Sequence, residues 1–331
     1  MPTLYEGAQK LVFVCANVQP EEELLVITDD DKFEMAQAIR EVATNEVKCG
    51  VAMVLIGSQN AGGQEPPAPV AAAMKEADVI IIMTSHSLSQ TNARREAQKA
   101  GTRVLNIPDP QITDLTSAMI TPDFVAISPL INEVAASLTG AKEIHCTAPG
   151  GTDLTFSAVG MKGNGLDLLV HKPGEFRSMS VEANVGPTFG TAKGVIVIDG
   201  SIPLIGPLDE PITFQVKDGF ATEITGGESA TKFAKILREF NDKYCYNIGE
   251  FGIGLNPCAK ATGNSYVEDE SAITTCHIGF GTNLSQGGNI KAACHIDAIF
   301  LSPTISVDGK VIMKDGILTE VPLYAQTGPA S

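Results

Sequence analysis

The chain has 331 residues with 39 acidic and 23 basic side chains, a formal charge of −16, and 44% hydrophobic residues. So large an acidic surplus repels phosphate backbones and anionic lipids, which excludes nucleic acid and membranes as expected partners, and no apolar run approaches the roughly 20 residues that span a bilayer. The length exceeds what one hydrophobic core usually takes, so two domains are expected, over residues 1–141 and 142–331.

In chain order, the opening residues lack the basic start, long apolar run and small-residue cleavage site of a signal peptide, and a cytoplasmic protein is expected. The runs LVFVC (11–15) and LLVIT (24–28) read as strands. Asp29-Asp30-Asp31-Lys32 then starts a helix through FEMAQAIREVATNEV. A strand at VAMVLIG, a Gly/Pro linker over 58–69, a helix through VAAAMKEA and a strand at ADVIIIMTS follow. After these come a helix around NARREAQKAG and a strand at TRVLNIP. Near-continuous Val, Ile and Leu strands alternating with helices imply a parallel sheet covered on both faces, an α/β doubly wound domain. Such sheets take ligands beyond the carboxyl ends of their strands, where Thr84, Ser85 and His86 stand. Neither glycine-rich phosphate-binding signature occurs, so nucleotide binding has no support. Residues 121–140 read as a helix that ends at Gly140.

From Lys142 the texture changes. EIHCTA, TDLTFSA, GVIVIDG, ITFQVKDG and DGFATEITGG are short alternating runs closed by Asp-Gly or Gly-Gly, the pattern of antiparallel hairpins. One helix is expected over 228–243, VDGKVIMKDGILTE closes the domain as a hairpin, and YAQTGPAS reads as a frayed tail. The second domain is thus mainly antiparallel β, of the α+β kind. The seven cysteines are widely spaced, odd in number and without a C-x-x-C pair, which reads as reduced, mostly buried thiols.

Metal-capable side chains concentrate between Tyr246 and Phe300. In an extended segment residues i and i+2 share a face, so His295 and Asp297 can address one cation. Cys276-His277-Ile278 repeats the local pattern of Cys294-His295-Ile296, Glu250 stands between two glycines, and Glu268, Asp269 and Glu270 form an acidic run. Imidazole with carboxylates is a ligand set for zinc, manganese, cobalt or ferrous iron rather than calcium. The metal ligands expected are Glu250, His277, His295 and Asp297. Cys276 and Cys294 alternate away from their histidines and read as core.

Gly151-Thr152-Asp153-Leu154-Thr155-Phe156, Asp218-Gly219, the run from Gly249 to Pro257, Cys276-His277-Ile278-Gly279-Phe280-Gly281 and His295-Ile296-Asp297 together resemble the aminopeptidase T family of metallopeptidases. That superfamily includes a branch of 2,5-dihydroxypyridine 5,6-dioxygenases, which open a pyridine ring with ferrous iron. The resemblance covers mainly residues 145–300 and implies an N-terminal α/β domain, a β-rich metal-binding domain and a homodimer. It places Glu250, His277, His295 and Asp297 where the aminopeptidases hold their metals. A further glutamate, which the family carries shortly after an Asn-x-Pro signature, is missing after Asn184-Val185-Gly186-Pro187, with Glu182 as the substitute at hand. The family's tyrosine is Leu284 here. In the dioxygenases the iron sits in a two-histidine, one-carboxylate triad, of which His295 and Asp297 match two members.

Three functions follow, in order of expectation. The first is metal-assisted hydrolysis of an amide or peptide bond in a small molecule or short peptide. A Zn, Mn or Co ion would activate a water, with Glu268 or Glu270 as general base. The second is ring-cleaving dioxygenation at Fe(II) on His277, His295 and Asp297, with Lys260, Ser265 or Tyr266 orienting the ring. The third is a non-catalytic binding protein on the same fold.

Overall fold

A computed structural model describes residues 1–57, 59 and 62–319. The closing YAQTGPAS and linker residues 58, 60 and 61 lie outside them. The chain divides into two compact units, Met1–Ile127 with Leu166–Ser180, and Ser128–Gly165 with Val181–Ser331.

The first unit is built on a parallel sheet of five strands. Its order is Gly50–Leu55, Glu23–Thr28, Val79–Thr84, Arg103–Pro108 and Phe176–Ser178. Every residue of Val79–Thr84 is buried, as expected of a strand covered on both faces. Leu25, Ile27, Ile80, Ile82 and Val104 pack with Val70 and Met74 of the helix Ala68–Glu76. The helix Asn92–Ala100 starts where Thr91 accepts from the Arg94 amide and stops at Gly101, whose φ of 105° few other residues adopt.

One expected strand is absent. LVFVC is helical: Thr3 and Glu6 close a capping box that starts the helix Leu4–Gln9, and the chain continues through Lys10–Cys15 in a wider turn. There the Ala16 amide donates to Leu11 O at 2.8 Å. A capped helix with room to propagate outweighs a five-residue β preference, since that preference depends on pairing partners.

The second unit holds an eight-stranded antiparallel sheet, in the order Phe220–Thr225, Ile212–Lys217, Lys193–Ile198, Asp153–Phe156, Ile144–Thr147, Thr304–Val307, Lys310–Lys314, Ile317–Leu318. Three of its turns are Asp-Gly pairs at residues 218, 308 and 315, with φ near 50° at each Asp and near 80° at each Gly. Both central residues of such a hairpin turn need positive φ, which these residue types tolerate best. The helix Glu228–Glu239 buries Phe233, which packs with Phe214 and Phe280. Phe280 belongs to a further sheet, the one that carries the candidate site. Among the described residues no helix is long and apolar enough to cross a membrane.

Candidate metal centre

Four antiparallel strands present the site. Across the sheet they run His295–Leu301, Thr275–Gly281, Ile248–Gly254 and Glu182–Val185. Alternation puts His295 and Asp297, His277 and Gly279, and Glu250 and Gly252 on one face. Their neighbours Phe251, Ile278, Phe280, Ile296 and Phe300 are buried in the core.

Register brings the donors together. Gly279 stands opposite Glu250 on one neighbour and Asp297 on the other. A Cβ on Gly279 would lie 2.7 Å from Glu250 Cβ, 2.8 Å from His295 Cε1 and 2.9 Å from Asp297 Oδ1. Glycine therefore keeps a hollow that three donor groups surround. Gly252 serves His277 in the same way, for its Cβ would sit 2.0 Å from the ring Nε2. Sequence reasoning passed over both glycines, although each lies two residues from an expected ligand.

The donors form two groups that share one carboxylate. Glu250, His295 and Asp297 make the first, and Glu182, Glu250 and His277 the second, each with its ligand atoms within 4.8 Å of one another. In the first, His295 Nε2 is 2.9 Å from Glu250 Oε2 and 3.3 Å from Asp297 Oδ1. Its Nδ1 lies 2.8 Å from Thr282 O. A carbonyl only accepts, so Nδ1 carries a hydrogen and Nε2 is turned to the acids. In the second group, His277 Nε2 is 3.6 Å from Glu182 Oε2 and 3.8 Å from Glu250 Oε1. The His295 and Asp297 side chains are 28% and 17% exposed, whereas Glu250 is 4% exposed, so the first group opens outward from a buried glutamate.

Burial and charge oppose each other here. Burial raises the Glu250 carboxyl, but the imidazoles of His277 and His295 outweigh it and hold the group below its ordinary value. Burial likewise works against Asp297, which His295 pulls down to about 2. Burial disfavours imidazolium at His277, yet Glu182 and Glu250 push it up to about 10. Glu182 is raised to about 7 by burial, against the pull of His277. Burial, with the charges of Glu182 and Asp297, pushes Glu270 well above the carboxylate range.

All four expected ligands converge, and Glu182 joins them. The acidic run is not a solvated turn: it lies on a short buried helix, Tyr266–Ser271, capped by Ser265. Its three acids part company. Asp269 accepts from the amides of Thr262 and Gly263 and from the Ser201 hydroxyl, and Glu268 accepts from the Lys260 amide. Glu270 is the one whose protonation is governed by the cluster. Two amides hold the acids: Gln286, which had no signal in the sequence, donates to Glu250 Oε2, and Asn184 Nδ2 donates to Glu182 Oε1 at 2.7 Å. Cys276 and Cys294 are buried. In the first unit, Thr84 Oγ1 donates to His86 O within one loop, and the Ser85 amide donates to Asp29 Oδ2 at the end of the neighbouring strand.

The donor set fits a divalent cation. Glu182 Oε2 and Asp297 Oδ1 are buried without a hydrogen-bond partner, a state that buried ionisable groups rarely keep unless a cation or proton completes them.

The family described as 2,5-dihydroxypyridine 5,6-dioxygenase (NicX) matches residues 6–320. The chain belongs to that family. A curated relative, the 2,5-dihydroxypyridine 5,6-dioxygenase of Pseudomonas putida strain KT2440, is 26% identical over 263 residues, covering 74% of this chain and 71% of the relative. The solved structure of the 2,5-dihydroxypyridine dioxygenase from Pseudomonas putida KT2440 superposes with a TM-score of 0.84 at 21% identity, over 98% of this chain and 100% of that one. Wild-type AmpT from Thermus thermophilus superposes with a TM-score of 0.71 at 16% identity, over 96% and 99%. These two likenesses concern the fold.

Membership of the NicX family overturns the leading expectation of an amide or peptide hydrolase. Family and curated relative are dioxygenases over most of the chain's length, while the aminopeptidase likeness is one of fold. A shared fold does not specify the reaction. A small-molecule substrate suits the NicX family.

Proposed function

We propose that the chain is a metal-dependent, ring-cleaving dioxygenase whose substrate is a small hydroxylated pyridine, 2,5-dihydroxypyridine being the one its relatives are named for. The observation that carries the reading is the outward-opening group of Glu250, His295 and Asp297 over the Gly279 hollow, in a chain that matches the dioxygenase family almost throughout. These three residues would hold a ferrous ion, whose one-electron chemistry lets ground-state oxygen react with a closed-shell ring. Three protein donors leave positions free for two reactants.

The remaining work falls to the chain's own groups. The Nδ1–H bond to Thr282 O fixes the His295 ring, and Gln286 fixes Glu250. Burial of Glu250 keeps water from its inner side. Glu270, held protonated by burial and neighbouring acids, is suited to give a proton to a substrate oxygen that gains charge and to take one back afterwards. Glu268 is already committed to the Lys260 amide, so this role goes to Glu270.

An oxygen electrode tests the reading. Protein made metal-free, reloaded with Fe(II) without air and given 2,5-dihydroxypyridine should consume about one oxygen molecule per ring lost. Loss of the ring at an undiminished rate without oxygen would refute it, as would full turnover by Asp297→Ala.

A further inference from the structure

We propose that the carboxyl end of the parallel sheet in the first unit binds a small primary amine, taken up as its ammonium and seated on Asp29. The strand order reverses there: from Glu23–Thr28 the chain moves to one side to make Gly50–Leu55, then to the other to make Val79–Thr84. Loops leaving two such neighbours part, and doubly wound sheets take their ligands in the opening between them. Asp29 directly follows the first of these two strands and Ser85 the second.

Asp29 is 5% exposed and prolongs its strand in extended form, with φ −119° and ψ 179°. Alternation therefore turns its side chain to the face of Ile27, the face packed by Val70, Met74, Ala93 and Ala97 of the two covering helices. Its Oδ2 accepts from the Ser85 amide at 2.6 Å, while Oδ1 is buried with no hydrogen-bond partner. Among the described residues no lysine, arginine or histidine forms an ion pair with it. The next strand end shows what is missing. Asp109, beyond Arg103–Pro108, takes the Lys32 ammonium at 2.7 Å, and that lysine side chain is itself only 10% exposed. A buried carboxylate without a cation is costly, so the ammonium that Asp29 needs comes from outside the chain. Asn106 adds a second acceptor on the same face, since it follows Val104 by two residues and stands opposite Ile82. Its Nδ2 donates to the Ser87 and Ser89 hydroxyls at 3.2 and 2.9 Å, which fixes the amide and leaves the buried Oδ1 without a partner. The ligand thus carries a second hydrogen-bond donor. Exposed Asp31, 3.5 Å from the Ser85 hydroxyl, adds negative charge nearby. A neutral polyol would satisfy the lone pairs but not the charge, and an anion would be repelled.

The inference does not depend on the reaction at the metal centre, and its test involves no turnover. Full-length protein saturated with Zn(II) is titrated with ethanolamine, 1,4-diaminobutane and, as the polyol, glycerol, with binding read by saturation-transfer nuclear magnetic resonance. At least one amine should bind with a Kd of about 5 mM or tighter, and glycerol should not. Asp29→Asn keeps an acceptor for the Ser85 amide but removes the charge, and should weaken amine binding at least about tenfold with zinc content unchanged. Asp31→Ala, at an exposed position that tolerates change, should weaken it about threefold. Failure of both amines to bind below about 50 mM would overturn the proposal, as would glycerol binding as tightly as the amines, or amine binding unaltered in either variant.

Discussion

Replacing Gly252 by alanine adds one methyl group and removes no chemistry, which makes it the cleanest probe of the site. The new Cβ would stand 2.0 Å from His277 Nε2, 2.1 Å from Cε1 and 2.8 Å from Cδ2, whereas ordinary contact begins at 3.4 Å. The ring must therefore retreat by about 1.4 Å, with the nitrogen that faces Glu182 and Glu250 moving most. His277 is 1% exposed, so it has no solvent to retreat into, and the sheet must give instead. Overpacking of this kind costs about 1 to 3 kcal/mol. The Glu250, His295 and Asp297 group is on the far side of Glu250 and should still bind one ion. Urea unfolding of metal-free protein and the metal count of loaded protein together read the outcome. An alanine variant within about 0.5 kcal/mol of wild type, with unaltered metal content, would show that His277 is not seated as described.

Glu250→Gln should lower metal affinity by at least 100-fold and destabilise the metal-free protein by about 3 to 5 kcal/mol, because it strips the carboxylate from the buried imidazole of His277 and from the more open one of His295. Calorimetry and urea unfolding check this, and affinity within tenfold of wild type would remove Glu250 from the ligand set. The pH dependence of the metal-free protein follows from His277, whose value is raised from 6.5 to about 10. A raised value stabilises fully below pH 6.5 and loses that contribution as pH climbs toward 10, so the urea midpoint should fall over that window. The loaded protein should not show the fall, since a ligating nitrogen carries no proton; a flat profile without metal would contradict the assignment. His295→Ala should cut oxygen uptake by more than 100-fold and release the metal of the first group, as measured by elemental analysis.

Much of this architecture was legible in the sequence because its signals are local. Asp218-Gly219, Asp308-Gly309 and Asp315-Gly316 state their turn type outright, and the unbroken apolar run of Val79–Thr84 states that both its faces are covered. His295 and Asp297 share a strand face by alternation alone, so two of the three donors of one group could be read from three consecutive residues. LVFVC misled because a run that short takes its conformation from what precedes it, here a capped helix. The mixed α/β class and the candidate donor types were therefore the sequence's to determine.

The partition of those ligands belonged to the tertiary structure. Glu182, Glu250, His277 and His295 come from four strands, and only the register that sets Gly279 opposite Glu250 and Asp297 decides which donors meet. Glu182 entered the cluster through a contact with His277 across 95 residues of chain, and Gln286 came to hold Glu250 across 36. Glu268, Asp269 and Glu270 adjoin in sequence yet serve three different partners, because a helix turns each carboxyl about 100° from the last. Pairing between distant strands carries no mark in any one of them, and that is why the metal centre becomes visible only once the sheet is assembled.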